Sequence, residues 1–555
     1  MGWGTRMNLC ALGCRGPSVA LRPAGNRLKS EVRGAAQPLS AAQSSAFEPL
    51  PDTHPPLARC AGRSDRNHLV TIAQRPIRHQ RSRLAIGLSG LACISLIAAS
   101  TATATGPPAS TAAPYRVKTL TTVSGPSPFA AGCPGGFHDE LKITGLVVEP
   151  AIAVNPRNPR NFLATWKQDI SPGFNARDAV VASSFDGGKT WRRTTIPGLT
   201  RCTGGTSDTA SDPWVSFGGD STAYFGGQAG LTSTAPPAIA IVASHSNNGG
   251  RRWAAPATVA PRLGGNETPA ITGSPTRPGH AYMTWANFRL DVDPPWTNTV
   301  SFSRTRDRGV TWSPPVLVDR AGPFAIDLAP RVQVLPNGAL LAIFARGDFE
   351  TQRASIQAVR SLDQGRTWLP PVEAGFKPLT GEFHDPETGD VLPQPGYPSS
   401  TVGPDGTVYV AYENSTSPTS GGIGIVRSRD GGITWTTITL PGVSAFAFEP
   451  AIAVDKHGTV GVIWYDLRND RAGDTATTAD LWFSASKDGG TTWQQIHVAG
   501  PTDLRTAAPA AQNRFGEYQG LAGLRTGFAA IFGLAAPQAR NGPTDIFFAH
   551  ITPGR

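Results

Sequence analysis

One eight-residue pattern, Ser/Thr-x-Asp-x-Gly-x-x-Trp, occurs six times in this chain, once with Asn in the Asp place. The copies run from Ser184 to Trp191, Ser246 to Trp253, Thr305 to Trp312, Ser361 to Trp368, Ser428 to Trp435 and Ser486 to Trp493. Their third positions, Asp186, Asn248, Asp307, Asp363, Asp430 and Asp488, follow one another at intervals of 56 to 67 residues. Self-similarity at such a period marks a repeat architecture, and about 60 residues hold four short strands, the content of one propeller blade. Each copy has a mechanical role that needs no ligand. Glycine supplies the positive φ of a tight hairpin turn, and the acid accepts N–H groups of that turn. Tryptophan packs over the hairpin, and the strand resumes with residues of good β propensity. The six acidic positions are therefore expected to staple turns.

A second repeat precedes each copy. Glu149-Pro150-Ala151-Ile152-Ala153-Val154 returns as Glu449-Pro450-Ala451-Ile452-Ala453-Val454, with weaker versions at Asp212-Pro213, Glu267-Thr268-Pro269, Ala329-Pro330 and Tyr397-Pro398. The proline lies 32 to 38 residues before the acidic position in every unit, and an apolar stretch ending in an aromatic residue follows it. Each unit thus reads strand, turn, strand, loop, strand, box, strand. A seventh unit without a box spans 517–550, and its missing fourth strand is supplied by 115–123 at the other end of the chain. The expectation is an all-β fold, a seven-bladed β-propeller over 145–555 whose last blade is closed by the N-terminal strand. A six-bladed ring with a C-terminal appendage is the alternative.

The formal charge of +10 sits in the leader: residues 1–104 hold 13 Lys/Arg against 4 Asp/Glu, which leaves 37 against 36 for 105–555. A basic nucleic-acid face is not expected on so neutral a body, and no nucleic-acid partner is expected. Arg75, Arg78, Arg81 and Arg83 precede an apolar run at 84–99 and then Ala102-Thr103-Ala104. That order is the one of a secretory signal peptide, and the run is short for a membrane span, so export with cleavage near Ala104 is expected. Residues 1–83 read as a disordered leader or a start codon placed too early, 84–104 as the apolar region with its cleavage site, and 105–144 as a linker with the closing strand. A secreted or cell-surface monomer without a stable membrane span follows. Only Cys133 and Cys202 remain beyond the leader, either paired as a disulfide or left as two thiols.

In a propeller the first strand of each blade begins at the mouth of the central channel, and the loops between second and third strands open on the same face. The strand starts bring Glu149, Asp212, Glu267, Glu449 and Glu517 there, with Tyr397 and Tyr518. Converging carboxyls raise one another's pKa or recruit a cation such as calcium, while capping of backbone N–H groups is the plainer role. No cofactor is expected, and no Cys/His cluster has metal spacing. The loops offer Arg289, Arg346 and Arg468 from three blades, and Arg331 and Arg514 lie close to first strands. A planar guanidinium suits a substrate carboxylate, although solvated surface arginines are commoner.

The repeated pattern is that of the Asp-box, or bacterial neuraminidase repeat, and the chain resembles the sialidase superfamily over roughly 145–555. The box carries fold more than chemistry. The resemblance implies a secreted glycoside hydrolase acting on terminal acidic sugars. In that family three arginines hold the substrate carboxylate, a tyrosine paired with a glutamate is the nucleophile, and an aspartate is the acid/base. Tyr518, Tyr465 or Tyr397 would be the nucleophile here, Glu449 or Glu149 its base and Asp466 the acid/base. Arg289, Arg346, Arg468 and Arg331, with Glu149 and Asp212, would bind substrate. Glu517 is a poor partner for Tyr518, because strand neighbours point to opposite faces. The family's Phe-Arg-Ile-Pro motif is absent: Tyr115-Arg116-Val117-Lys118 lacks the proline. A non-catalytic propeller binding glycan or protein through its loop face is the alternative, and an endo-acting glucanase is a third reading.

Overall fold

The computed structural model describes residues 115–130, 132–133, 142–171, 175–231, 238–262, 265–289, 297–379, 384, 389, 396–414, 421–443, 446–474, 476–508 and 515–554. The leader and Arg514 lie outside these residues. The described part is all-β. After β1 (Tyr115–Thr122), consecutive strands fall into sets. The first set is β2 (Ile143–Val154), β3 (Phe162–Ile170), β4 (Ala176–Ser184) and β5 (Arg192–Thr195), and the second is β6 (Thr209–Phe217), β7 (Ala223–Leu231), β8 (Ala238–Ser246) and β9 (Ala257–Ala260). The third holds β10 (Gly265–Gly273), β11 (Ala281–Arg289), β12 (Thr297–Thr305) and β13 (Val316–Arg320). The fourth holds β14 (Ala325–Val334), β15 (Leu340–Asp348), β16 (Arg353–Ser361) and β17 (Val372–Pro378). Next come β18 (Ser399–Val402), β19 (Val408–Glu413), β20 (Ile423–Ser428) and β21 (Thr436–Ile438), then β22 (Ala447–Val454), β23 (Val460–Asp466), β24 (Thr478–Ser486) and β25 (Gln494–Asp503). The seventh set is β26 (Gly520–Gly523), β27 (Phe528–Leu534) and β28 (Asp545–Pro553).

Each set is an antiparallel sheet in sequence order, and the first two sets join only through the pair Ala176↔Ala210. The seventh set is completed by β1, which runs antiparallel to β28 from Tyr115↔Pro553 to Thr122↔Phe547. The first strands of the sets touch in cyclic order: β2 with β6, β6 with β10, and so on through β14, β18, β22 and β26, which returns to β2. No helix among the described residues is long and apolar enough to cross a membrane.

The repeated box holds this order together at the turns. In the first copy the Ser184 hydroxyl donates to Asp186 Oδ1 at 2.9 Å and accepts from Gly188 N at 2.9 Å. Asp186 also accepts from the N–H groups of Lys189 and Thr190, both at 3.0 Å, and from the Thr190 hydroxyl at 2.6 Å. Asn248 performs the same task through Oδ1, which accepts from Ser246 and from Arg252 N. The glycine at the fifth position packs on the preceding set. A Cβ on Gly365 would come within 2.2 Å of Phe302 in β12, and one on Gly188 within 2.1 Å of Phe548 in β28, the first set thereby meeting the seventh. Trp191 follows the same route, its ring 5.3 Å from that of Phe548 and 6.4 Å from that of Phe162. A disulfide between Cys133 and Cys202 ties the segment before β2 to the turn after β5.

The donors converging on Asp363 hold its carboxyl down at about 2, against the burial that it does undergo; the N–H and hydroxyl of Thr367 are the chief donors. A folded pKa below the unfolded one supplies stability that is present above the unfolded value and is lost as pH falls towards 2. Asp363→Ala is expected to cost about 1–2 kcal/mol at neutral pH. Asp363→Asn should cost less, because Asn248 already does the work in the second box, and should blunt the loss in acid; urea unfolding at pH 7 and pH 3 checks both.

Candidate functional site

Five first strands break at one place. Glu149, Asp212, Thr268, Ala329 and Glu449 have φ of 58°, 47°, 51°, 52° and 50°, and each stands directly before a proline. The strand register slips there, between Val148 and Ala151, Ser211 and Trp214, Glu267 and Ala270, Leu328 and Arg331, and Phe448 and Ala451. A non-glycine residue in the left-handed region costs on the order of 1–3 kcal/mol, and bulges of this kind re-aim side chains. Here they turn acids into the middle of the ring of first strands.

Lys167 on β3 answers two of those acids. Its Nζ lies 2.8 Å from Glu149 Oε1 and 3.1 Å from Asp212 Oδ1, with all three side chains buried. Burial opposes the charge on Asp212, yet Lys167 and the Ser211 hydroxyl bring its pKa below the ordinary value. Gln228 Nε2 donates to Asp212 Oδ2 and to Glu267 Oε2, 2.9 Å each, so one amide links both carboxyls. Glu267 goes the other way: burial and then the charge on Asp212 raise it. Burial raises Glu149 to about 8 in spite of Lys167. Glu449 is 1% exposed, has no hydrogen-bond partner for either carboxyl oxygen among the described residues, and is raised well above the usual range by burial and by Glu413. The Glu413 carboxylate in turn accepts from Gly396 N and Glu449 N, both at 2.7 Å.

Beside these acids stands an aromatic wall with a cation on it. The Arg331 guanidinium lies 3.8 Å over the Trp214 ring and 5.7 Å from that of Tyr518. It makes no hydrogen bond or ion pair to another described residue, and burial lowers its pKa to about 10. Tyr397 stacks on Tyr518 with ring centres 6.4 Å apart, its backbone N–H donates to Glu517 O at 3.0 Å, and its hydroxyl stands near enough to the Glu517 carboxyl for the two to shift each other's pKa. Burial and then the neighbouring Glu517 raise the Tyr397 pKa, while Glu517 is itself raised by burial. Trp214, Glu267, Arg331, Tyr397 and Glu517 are each half-buried, enclosed by protein yet reachable from solvent. Among the described residues no three His, Cys, Asp or Glu side chains form a group that could hold a metal ion.

The structure thus brings Arg331, Asp212, Glu149 and Tyr518 together and leaves other sequence candidates elsewhere. Tyr518 donates backwards to the Pro213 carbonyl at 3.2 Å. Tyr465 is a core residue, stacked on Phe448 and Phe515 and donating to Gly533 O at 2.7 Å. Asp466 is consumed by Arg468, whose Nε lies 2.9 Å from each carboxylate oxygen and whose guanidinium covers Trp482 at 3.9 Å. Arg346 is clamped by Asp327 at 2.7 and 2.8 Å and by Asp319. Arg289 ends β11, and its side chain lies outside the described residues. The pairing of Tyr397 with Glu517 crosses between sets, as does the meeting of Trp214 with Arg331. One signal for the latter is in the sequence: the position after the repeated proline is Ala or Ser in four units but Trp214 and Arg331 in two.

No family model matches the chain, and no curated protein matches it. Among solved structures, a protein of unknown function from Dyadobacter fermentans is 12% identical, with 79% of this chain and 99% of that one covered, at a TM-score of 0.45. The α-L-arabinofuranosidase Arb93A from Fusarium graminearum is also 12% identical, with 79% and 98% covered, at 0.42. The Hadza microbial sialidase Hz136 is 14% identical, with 71% and 76% covered, at 0.40. Sialidases and arabinofuranosidases are thus both among the structures this chain is similar to. Likenesses so distant carry no argument about chemistry, which rests on the side chains.

The unpartnered acid makes a checkable statement about pH. Because the folded pKa of Glu449 is above its ordinary 4.5, the folded state binds the extra proton. Its favourable effect is whole below the unfolded pKa and is lost as pH rises through the folded one. The melting temperature is expected to fall between pH 5 and pH 8, and Glu449→Gln, an uncharged isostere, to remove part of that fall while leaving pH 5 unchanged. Equal slopes in the two proteins would contradict this.

Proposed function

We propose that the chain is an exported seven-bladed Asp-box propeller whose ring centre is a glycoside hydrolase site for glycans bearing an acidic sugar. The cyclic adjacency of the first strands and the pairing of β1 with β28 support the blade number. One observation carries the chemistry: a tyrosine beside a glutamate, Tyr397 with Glu517, stands near an arginine that has no charged partner among the described residues. An unpaired, half-buried guanidinium is matched by a carboxylate from outside. The resemblance of the boxes to those of sialidases points to the same substrate class.

In this reading Arg331 holds the sugar's acidic group against Trp214. Tyr397 Oη attacks the anomeric carbon while Glu517 takes the phenolic proton. A neutral phenol that becomes a nucleophile only during attack avoids repulsion by the substrate's own carboxylate, and tyrosine nucleophiles of this kind are an exception to the two-carboxylate scheme. The glycosidic C–O bond breaks as Glu267, kept protonated by burial and Asp212, gives its proton to the leaving oxygen. Water then attacks the sugar–tyrosine bond, Glu267 takes its proton, and Glu517 returns the first proton to Tyr397. Asp212, held ionised by Lys167, keeps Glu267 in its protonated state.

The test is turnover of aryl glycosides of sialic acid and of other acidic sugars by the purified protein across pH 4 to 8. Wild-type turnover, with a loss of at least about a hundredfold in kcat for Tyr397→Phe and for Glu267→Gln, is the expected result. Arg331→Ala should act mainly through KM and should spare neutral sugars. Unchanged kcat in Tyr397→Phe would remove the mechanism, and binding of acidic glycans without any turnover would establish the non-catalytic reading instead.

A further inference from the structure

The box leaves two of its positions unused by the fold. Its first residue donates and accepts within the turn, its third accepts the N–H groups, its fifth packs on the preceding set and its eighth covers the hairpin. In the third, fourth and fifth boxes the side chains at the second and sixth positions are left to solvent. In three consecutive sets those two positions hold one arginine and one aliphatic residue: Arg306 and Val310, then Leu362 and Arg366 in the reverse order, then Arg429 and Ile433. Val310 is 61% exposed, Leu362 70% and Ile433 48%, and all three arginines are exposed as well.

The box acids take their side-chain and N–H donors from their own turns, not from these guanidinium groups. Asp307, Asp363 and Asp430 accept from their own turns, chiefly from Thr311, Thr367 and Thr434. The guanidinium groups of Arg306, Arg366 and Arg429 make no hydrogen bond or ion pair to a described residue, although Arg429 stands near enough to Asp405 to help lower its pKa. Arg306 and Arg366, from neighbouring sets, stand close enough to Arg304 to help burial lower its pKa, outweighing the opposing effect of Asp363, so like charges gather here. The other boxes lack this arrangement. In the second, the Arg251 guanidinium lies 3.4 Å over Phe185 of the first, and the sixth carries Lys487 and Thr491. The tips also lie away from the acidic centre: Thr305 pairs with Ala281, at the opposite end of β11 from Ala286, the partner of Glu267.

We propose that the box tips of the third, fourth and fifth sets dock the protein on an anionic phospholipid bilayer. Val310, Leu362 and Ile433 would enter the headgroup region while Arg306, Arg366 and Arg429 meet lipid phosphates, leaving the ring centre facing away from the membrane. Exposed aliphatic side chains ringed by basic ones are what an interfacial surface requires. An acidic polymer would engage the arginines but would gain nothing from the aliphatic tips.

Co-sedimentation of the full chain with vesicles of phosphatidylcholine containing about one-third phosphatidylglycerol, at about 0.1 M salt, tests the proposal. The apolar run at 84–99 is present in every protein compared, so differences between variants report the tips alone. The substitutions use residues already found at these positions in other boxes, which keeps the turns intact. Arg306→Asn, Arg366→Thr and Arg429→Asn together should weaken partitioning by about a hundredfold, each basic residue at such a surface contributing roughly a factor of five. Val310→Thr, Leu362→Asn and Ile433→Thr together should weaken it by at least about tenfold and leave retention on immobilised heparin unchanged. Equal sedimentation of wild type and either triple variant would overturn the proposal. So would loss in the arginine variant with none in the aliphatic one, which would assign the face to an acidic polymer.

Discussion

A residue held in the left-handed region directly before a proline, repeated on five first strands, is the constraint from which the centre of this protein follows. Such a residue would relax if it were free, and it persists only because the strand on either side is packed by its neighbours in the ring. The bulge removes two residues from the sheet register and swings the first of them inward. At Glu149, Asp212 and Glu449 that residue is an acid, so the ring collects carboxyls where water is scarce. Lys167 offsets two of them through contacts of 2.8 and 3.1 Å, and protonation must serve where it does not reach.

The same residue type behaves in opposite ways at the two ends of the strands. In the boxes an aspartate sits among N–H and hydroxyl donors at the surface, and its pKa falls to about 2 at Asp186, Asp363 and Asp488. In the ring Glu149 rises to about 8, because burial outweighs the single lysine beside it. The box acids therefore stay charged throughout the range in which Glu149 titrates. Proton exchange near neutral pH is thus open to the central Glu149, while the arginine-bearing tips lie at the other end of the strands.

Much of the fold could be read from the residues, because the devices that build it are local. The box shows its turn in eight positions, the repeated proline marks each bulge, and the alternation of 115–123 anticipated the strand that pairs with β28. The site was legible only in part. Asp212, Glu149 and Arg331 fall into one cluster because they occupy the repeated strand entry. Arg346 and Arg468 looked equally suited to a carboxylate, yet Arg346 faces Asp327 directly across the β14–β15 pair, and Arg468 folds back on Asp466 two residues away. Tyr465 sits opposite Phe448 in the register of β22 and β23 and so belongs to the core. Contacts between sets, Tyr397 with Glu517 and Trp214 with Arg331, depend on how far each strand entry projects inward, and no spacing along the chain encodes that.

The central claim is that Tyr397 is the atom donor to the sugar, and a trapped intermediate tests it most directly. A fluorinated acidic glycoside that forms the glycosyl–enzyme bond quickly and hydrolyses slowly would be mixed with the protein, and the digest mapped by mass spectrometry. The adduct is predicted on Tyr397, and Arg331→Ala should diminish it. An adduct on Glu267, Glu517, Tyr518 or any other side chain, or continued turnover with no adduct at all, would contradict the assignment.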